Sequence, residues 1–265
     1  MKKYILTLIL ALASLGLYAQ TNRNKTIINA ALHGWEYEIK AGVNLGGTAP
    51  LPFPEEIRSI DGYNPTLSIT IEGNMTKWLD TKKKWGIITG LRLENKGMRT
   101  KATVKNYNME IIGYDGNRLK GNWTGGVRTK VQNSYITIPV LAAYKLSPRT
   151  TLKLGPYFSY LMDGDFSGHV YEGYLRETNP TGDKINFTNG AIATYDFSGD
   201  LRKFQWGVQA GVDWKAFKHL KVHADLNWGL NDIFNKDFKT VTFDMYAIYL
   251  NVGSVSYTHL RAHET

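Results

Sequence analysis

The stretch FQWGVQAGVDW, residues 204–214, carries an apolar side chain at every second position. Small or polar residues, mainly glycine and glutamine, occupy the positions between them. A period of two is that of a β-strand, whose successive side chains point to opposite faces of a sheet. One face of this strand is therefore apolar and aromatic, and the other is polar and small.

The same alternation recurs along the chain. It is clear from Trp35 to Leu45 and from Leu220 to Leu230, and it is less perfect in the other segments. Those are Leu67–Ile71, Trp85–Leu93, Ile136–Tyr144, Leu152–Met162 and Tyr246–Val252. Eight such segments predict an all-β, up-and-down antiparallel barrel over residues 35–253.

The composition of the polar face indicates which side of the barrel meets lipid. A water-facing sheet would be crowded with long Lys and Glu side chains, whereas this face is largely Gly, Ser, Thr, Asn and Gln, which suit a narrow, filled lumen. Five tryptophans lie on the apolar face near strand ends, as an interfacial girdle requires: Trp35, Trp85, Trp206, Trp214 and Trp228. These features favour a transmembrane barrel over a soluble lipocalin-type barrel.

The connections between the segments alternate in length. Short links lie near residues 80–84, 145–150 and 215–219, and long ones cover residues 46–62, 97–132, 163–203 and 231–239. Outer-membrane barrels have short periplasmic turns and long external loops. We therefore expect both chain ends in the periplasm, and an outer-membrane location in a Gram-negative bacterium.

Both ends of the chain lie outside the predicted barrel. Residues 1–19, with Lys2 and Lys3 before an apolar run, are typical of a signal peptide, and residues 20–34 form a short periplasmic segment. Residues 254–265, SVSYTHLRAHET, resemble a read-through tail, so we expect them to be non-native, with His259 and His263 binding no ligand. The absence of cysteine excludes disulfides and a lipid anchor.

The formal net charge of +9 stays positive when the signal lysines are set aside. Nucleic acid is not expected as a partner, because the chain is exported and carries no basic helix or nucleic-acid module. Lipopolysaccharide phosphates are the nearer anionic partner, beside the outer-membrane lipid itself. Solvated loops would explain the same excess.

Charged residues on the polar strand face are expected inside the barrel. They are Glu36, Glu38, Lys40, Glu72, Arg92, Glu94, Lys153, Asp213, Lys221 and Asp225. Their mixed signs predict paired charges that plug the lumen, with an ion path as the alternative.

Three segments resemble the PorT-like family of outer-membrane barrels. They are YITIPVLAAYK from Tyr135, LKLGPYFSYLM from Leu152, and WGVQAGVDWKAFKHLKVHADLNWGLNDI from Trp206. Pro139 inside a strand cannot donate to the ladder and suggests a bulge. Membership would imply an eight-stranded barrel in a Gram-negative envelope, and some relatives are tied to protein secretion.

Chemically suggestive motifs are few. The DGDFSGH stretch, residues 163–169, is similar to a calcium loop but lacks the acid at its twelfth position, which is Tyr174. Ser167 and His169 lack an identifiable third group for hydrolysis. His219 and His223 are expected to be packed or solvated. We therefore expect no catalytic residue, no cofactor and no metal.

The sequence thus favours a structural or interaction role, with a protein or peptide partner bound through external loops. Alternation from Ala102 to Ile112, a turn signal at Asp115-Gly116, and a return over Trp123–Val131 predict a projecting hairpin that offers an edge to an extended peptide. Alternatives are an accessory component of envelope protein secretion, a small porin, or a lipid-modifying enzyme.

Overall fold

The computed structural model describes residues 34–113, 116–217 and 220–256. The strands are β1 Trp35–Pro50, β2 Ile57–Pro65, β3 Ser68–Trp78, β4 Trp85–Ile112, β5 Arg118–Lys145, β6 Thr150–Glu177, β7 Lys184–Asp196, β8 Phe204–Lys215, β9 Lys221–Gly229 and β10 Met245–Ser256. A single 3₁₀ turn, Ser198–Asp200, interrupts the strands of this part of the chain. None of the described residues forms a helix long and apolar enough to cross a membrane. The expected signal peptide lies outside the described residues.

Eight of these strands close a ring in the order β1-β3-β4-β5-β6-β8-β9-β10, and every neighbouring pair is antiparallel. The closing pair joins β1 to β10, from Ile39 opposite Ser256 to Pro50 opposite Met245. Each of the eight segments identified by alternation supplies one strand of the ring. The predicted all-β, eight-stranded barrel is therefore confirmed.

The last strand extends three residues beyond its expected end at Gly253. Ser254, Val255 and Ser256 pair with Ala41, Lys40 and Ile39 of β1. The Val255 side chain is buried, so alternation continues to this point. The remaining residues, 257–265, lie outside the described residues.

The strand faces are oriented as expected. Apolar side chains such as Ile39, Ile71 and Leu154 point outward and are more than half exposed. Trp206 and Trp228 are exposed at the external end of the wall, and Trp85 and Trp214 at the periplasmic end. Amphipathic rings at both ends of an apolar band are typical of a membrane-spanning wall.

Three strands of the ring continue far beyond this band, since β4, β5 and β6 each contain 28 residues. The predicted hairpin is confirmed, with Ala102 opposite Val127 and Ile112 opposite Arg118, although Asp115 lies outside the described residues. Residues 163–203 are not the loop that we expected. β6 continues to Glu177, and buried residues such as Phe166 and Val170 alternate with outward-facing ones along it. β7 then runs antiparallel beside β6.

The expectation of a bulge at Pro139 is wrong. The register of β4 against β5 is the same on either side of Pro139, as the pairs Thr89–Val140 and Arg92–Thr137 show. Pro139 therefore interrupts the pairing without shifting the register. The nearby register shift lies instead between Ser134 and Tyr135. A proline removes one donor, and well-paired neighbours can hold the register across that gap.

We expect Val208→Arg to destabilise the barrel. Val208 lies on the lipid face of β8, between Trp206 and Ala210, and arginine in such a position costs about 2–4 kcal/mol. Val208→Leu, which stays apolar, is the control and should change the free energy of unfolding little. Urea titrations in lipid vesicles measure both variants, and equal stability of Val208→Arg and the control would contradict the assigned facing.

Candidate functional site

The lumen is filled by layers of side chains. Near the periplasmic end, Trp78, Ile88, Leu141 and Ala143 form a small apolar cluster. The next layer is charged and the layer beyond it is aromatic, so the interior changes character along the barrel axis. Most of the predicted lumen charges therefore occupy the middle of the membrane-spanning part.

Arg92 is the centre of the charged layer and is 1% exposed. Its Nε donates to Glu72, and its Nη1 lies 3.9 Å from Oε2 of Glu94. Nη1 and Nη2 also donate to the amide oxygens of Asn227 (3.1 Å) and Gln209 (2.8 Å). Side chains from β3, β4, β8 and β9 are thus tied together across the lumen through one guanidinium.

A second cluster surrounds Lys153. Its Nζ lies 2.5 Å from Oδ1 of Asp213 and 2.7 Å from Oδ1 of Asp225, and Lys40 approaches the same Asp213 oxygen at 3.5 Å. Gly211 lies against the Asp225 carboxylate, where a Cβ would collide with it. The absence of a side chain at this position makes room for the charged cluster.

The predicted pairing of lumen charges is confirmed by these contacts. Glu38 pairs with Lys221 and Glu36 with Lys83, and all four of these side chains are more exposed than the central clusters. Each of the four central cations (Lys40, Arg92, Lys96 and Lys153) has a carboxylate partner among Glu72, Glu94, Asp213 and Asp225. Balanced, buried charges of this kind form a plug.

Lys96 was missed by the sequence analysis. Its Nζ lies 3.0 Å from Glu94 and within 6 Å of the ring centroids of Tyr135, Tyr157 and Tyr249. A cation held over aromatic faces is attracted by their quadrupoles. The alternation of Arg92, Glu94 and Lys96 on β4 could have identified it, because all three share the lumen face.

His223 is packed, as expected, and its Nε2 lies 2.7 Å from Oδ1 of Asn251. His219 lies outside the described residues. Asn251 also donates to Thr70 and Asn44, so the histidine ring belongs to a polar network that crosses the closing pair of strands. It has the contacts of a structural residue.

Beyond the membrane, the long strands enclose an apolar core. β2 pairs with the extension of β4, and β7 pairs with the extension of β6. The core includes Trp123, Phe166, Val170 and Phe234, and Phe234 belongs to the connection between β9 and β10. This external sheet therefore has an interior of its own, like a small soluble domain.

The hairpin tip bends over this core. A register shift lies between Val104 and Tyr107, where Asn106 adopts a positive φ of 58°. Ile112 then meets Thr194 of β7. Since β2 covers β4 from Met98 to Val104, that length of the hairpin does not offer the open edge that we expected.

The outward face of the external sheet carries a cluster of cations, here named the cationic patch: Arg99, Lys101, Arg128 and Lys130. Arg99 lies opposite Lys130 and Lys101 lies opposite Arg128 on β4 and β5. Lys130 pairs with Asp165 at 2.5 Å. Among the described residues, no carboxylate lies within 4.0 Å of the other three cations.

Tyr171 lies beside the cationic patch. Its ring is 5.6 Å from Nζ of Lys101 and 5.3 Å from the Arg128 guanidinium carbon, distances typical of cation–π contacts. The ring lies over Gly126, where any Cβ would overlap it. Tyr171 thus holds two of the cations in place on the surface of the sheet.

An open cavity of about 890 Å³ lies against the cationic patch. It is lined by all four cations together with polar residues of the neighbouring strands, including Asn64, Ser167, His169 and Thr194. Burial, and then the charge of Arg128, lower the pKa of His169. The surface is therefore concave and positively charged, with apolar and polar groups between the cations.

The DGDFSGH motif forms part of β6 and not a calcium loop. Ser167 donates to Asp165 at 2.6 Å instead of to His169. Burial opposes ionisation of Asp165, but hydrogen bonds from Lys130 and Ser167 outweigh it and lower the pKa of Asp165. Within the described ranges, no group of three or more His, Asp or Glu side chains is placed to hold a metal ion.

A second cavity, of about 310 Å³, lies at the hairpin tip and is lined by residues of both charges. Arg118 pairs there with Glu110 at 2.8 Å. Burial, followed by the charge of Glu110, raises the pKa of Asp200. Acidic and basic side chains are interspersed around this second cavity, whereas the cationic patch consists of basic residues only.

An apolar outer wall around a filled, charged lumen defines a membrane-spanning β-barrel. The model of the outer membrane protein beta-barrel domain matches residues 18–235, and the chain belongs to that family. Its location is accordingly the outer membrane of a Gram-negative bacterium. No curated protein sequence matches the chain.

Solved structures of several outer-membrane barrels are similar at low identity. Ail, the attachment invasion locus protein of Yersinia pestis, is 11% identical with a TM-score of 0.34, covering 84% of this chain and 99% of its own. Neisserial surface protein A is 9% identical with a TM-score of 0.28, covering 85% and 97%. The Escherichia coli outer membrane protease OmpT is 12% identical with a TM-score of 0.33, covering 85% and 96%.

We expect Arg92→Ala to cost about 3–5 kcal/mol, because it leaves the buried carboxylates of Glu72 and Glu94 without their shared partner. Arg118→Ala is the matched control. Its ion pair with Glu110 is exposed, and removing such a pair costs at most about 1 kcal/mol. Free energies of unfolding compare the two, and an equal loss would show that the lumen charges contribute no more than surface pairs.

Proposed function

We propose that this protein is a non-catalytic interaction barrel, which binds a partner through its external sheet. The observation that supports the proposal is the length of β4, β5 and β6, which continue past the girdle and enclose a separate apolar core. A barrel that served only as an anchor would not need this second core. The external sheet presents a stable surface, as binding sites require.

The filled lumen supports a role other than transport. The paired charges around Arg92 and Lys153 and the aromatic layer around Lys96 fill the space through which a solute would pass. At about eight strands, a barrel interior is just wide enough for its own side chains. The porin alternative is therefore the weaker one.

The contacts of Ser167 and His169 support the absence of catalysis. Hydrolysis by a serine needs a base within hydrogen-bond reach and a third group that orients the base. Here the hydroxyl of Ser167 is directed to Asp165, and the His169 ring lies beside Tyr171, with 6.1 Å between the ring centroids. Ser167 and His169 are therefore not arranged to catalyse a lipid-modifying or proteolytic reaction.

A role in envelope protein secretion is a second candidate. Its support is the resemblance of the strands around Pro139 and Pro156 to PorT-like barrels, together with a hairpin that projects beyond the membrane. Deletion of the gene distinguishes the two candidates, because a secretion accessory would retain exported proteins inside the cell and an interaction barrel would not.

We expect no steady conductance when the purified protein is reconstituted into planar bilayers, because buried side chains occupy the lumen. An equal amount of a general porin serves as the positive control. Large, reproducible open channels would contradict the plug and would favour transport.

We also expect partner contact at the external sheet in intact cells. A photo-crosslinking residue at Thr194, which is exposed in the cavity beside the cationic patch, should form adducts with a protein of defined mass, whereas one at Lys82, at the periplasmic turn, should not. The purified protein should not turn over lipid or peptide substrates. Adducts at Lys82 alone would contradict the proposal, and turnover that His169→Ala abolishes would favour an enzyme.

A further inference from the structure

We infer that the cationic patch binds the phosphorylated core sugars of lipopolysaccharide molecules that surround the barrel. The inference rests on the proposed function only in treating the external sheet as a binding surface. It assigns to the patch, formed by Arg99, Lys101, Arg128 and Lys130, a ligand of defined chemistry. That ligand carries several phosphate or carboxylate groups on a carbohydrate chain.

The four cations of the patch are brought together at an energetic cost. Like charges directly opposite each other on neighbouring strands destabilise a sheet. The external sheet contains two such pairs side by side, Arg99 with Lys130 and Lys101 with Arg128. Asp165 forms an ion pair with Lys130, and Asp61 of the neighbouring β2 interacts electrostatically with Lys101 without an ion pair within 4.0 Å. The two carboxylates do not balance the four cations, and an anionic ligand would reduce the repulsion that remains.

The spacing of the four cations suits a ligand with several anionic groups. Neighbouring strands are about 4.8 Å apart, and residues two apart on one strand are about 7 Å apart. The four cations therefore occupy the corners of a small rectangle. Separate anionic groups on adjacent sugars match such a pattern better than a single phosphate does, and arginine can grip each group with two donors.

The direction in which the patch faces also suits this ligand. Arg99 and Lys101 continue the same outward column of β4 that carries the lipid-facing Leu91 and Leu93 lower down. Arg99 is six residues beyond Leu93, which corresponds to about 20 Å along the strand and about 15 Å along the membrane normal at a typical strand tilt. The patch thus faces sideways, into the sugar layer of the surrounding lipopolysaccharide, and not away from the cell.

The cavity supplies the remaining requirements of a carbohydrate site. Its volume of about 890 Å³ can hold two or three sugar rings, and Asn64, Ser167 and Thr194 line it with groups able to hydrogen bond to hydroxyls. Tyr171 keeps Lys101 and Arg128 oriented on the surface. Cations, hydroxyl-binding groups and concave shape therefore coincide at one place.

The test uses the full-length protein in detergent and fluorescently labelled rough lipopolysaccharide with a phosphorylated core. The triple variant Arg99→Gln, Lys101→Gln, Arg128→Gln should bind at least about tenfold more weakly, since charge-assisted contacts are lost. The matched control removes three exposed external lysines elsewhere: Lys105→Gln, Lys236→Gln, Lys239→Gln. This control should bind as the unchanged protein does.

Removal of the phosphates from the lipopolysaccharide should weaken binding of the unchanged protein to the level of the triple variant. Equal binding by the patch and control variants, or no effect of removing the phosphates, would overturn the inference. Patch-dependent binding of heparin without binding of lipopolysaccharide would also overturn it, in favour of a soluble polyanion. Each of these results leaves the conductance and crosslinking tests of the proposed function unaffected.

Heat-dependent electrophoretic mobility shows whether each variant forms the closed barrel. If the triple variant does not fold, Arg128→Gln alone replaces it, because Arg128 has the most central position in the patch, between Lys101 and His169 on neighbouring strands. The single variant should weaken binding severalfold. Unchanged affinity in a folded Arg128→Gln protein would count against the inference.

Discussion

The pairing of β1 with β10 is the constraint on which the rest of the molecule depends. Lipid offers no hydrogen-bond partners to the backbone, so a membrane-spanning sheet must have no open edge. The pair runs over twelve residues of each strand and joins the two ends of the chain's strand order. Once the ring is closed, alternation directs each side chain either to the lipid or to the lumen. The aromatic girdle and the charged interior both follow from this separation of the two faces.

Closure also determines what the lumen must contain. Eight strands enclose too little space for bulk water, so every polar side chain that faces inward needs a protein partner. Arg92 meets this need with two carboxylates and two amides, and Lys153 with two carboxylates. A buried ion pair adds little net stability over apolar packing, but the loss of one partner is costly. Each buried charge in the lumen therefore depends on its particular partner.

Much of the fold could be predicted because period-two alternation is a local property of sequence. The eight segments, their facing and the lumen charges, including Arg92 and Asp213, were predictable in this way. The strand character of residues 163–203 was not, because outside the membrane both faces of a strand can be polar or apolar and the contrast is weaker. Lys96 and the cationic patch depend on register between distant strands, such as Arg99 opposite Lys130, which no local pattern reveals.

The external sheet combines two opposite demands on the same strands. Its inner face forms an apolar core like that of a soluble domain, and this core includes Trp123, Phe166 and Phe234. Its outer face brings four cations together with fewer carboxylates than would balance them, and Tyr171 over Gly126 holds Lys101 and Arg128 in place. Solvated loops could carry a positive excess without cross-strand repulsion, because flexible side chains separate. A rigid sheet that keeps like charges together has the geometry of a surface formed to meet anions.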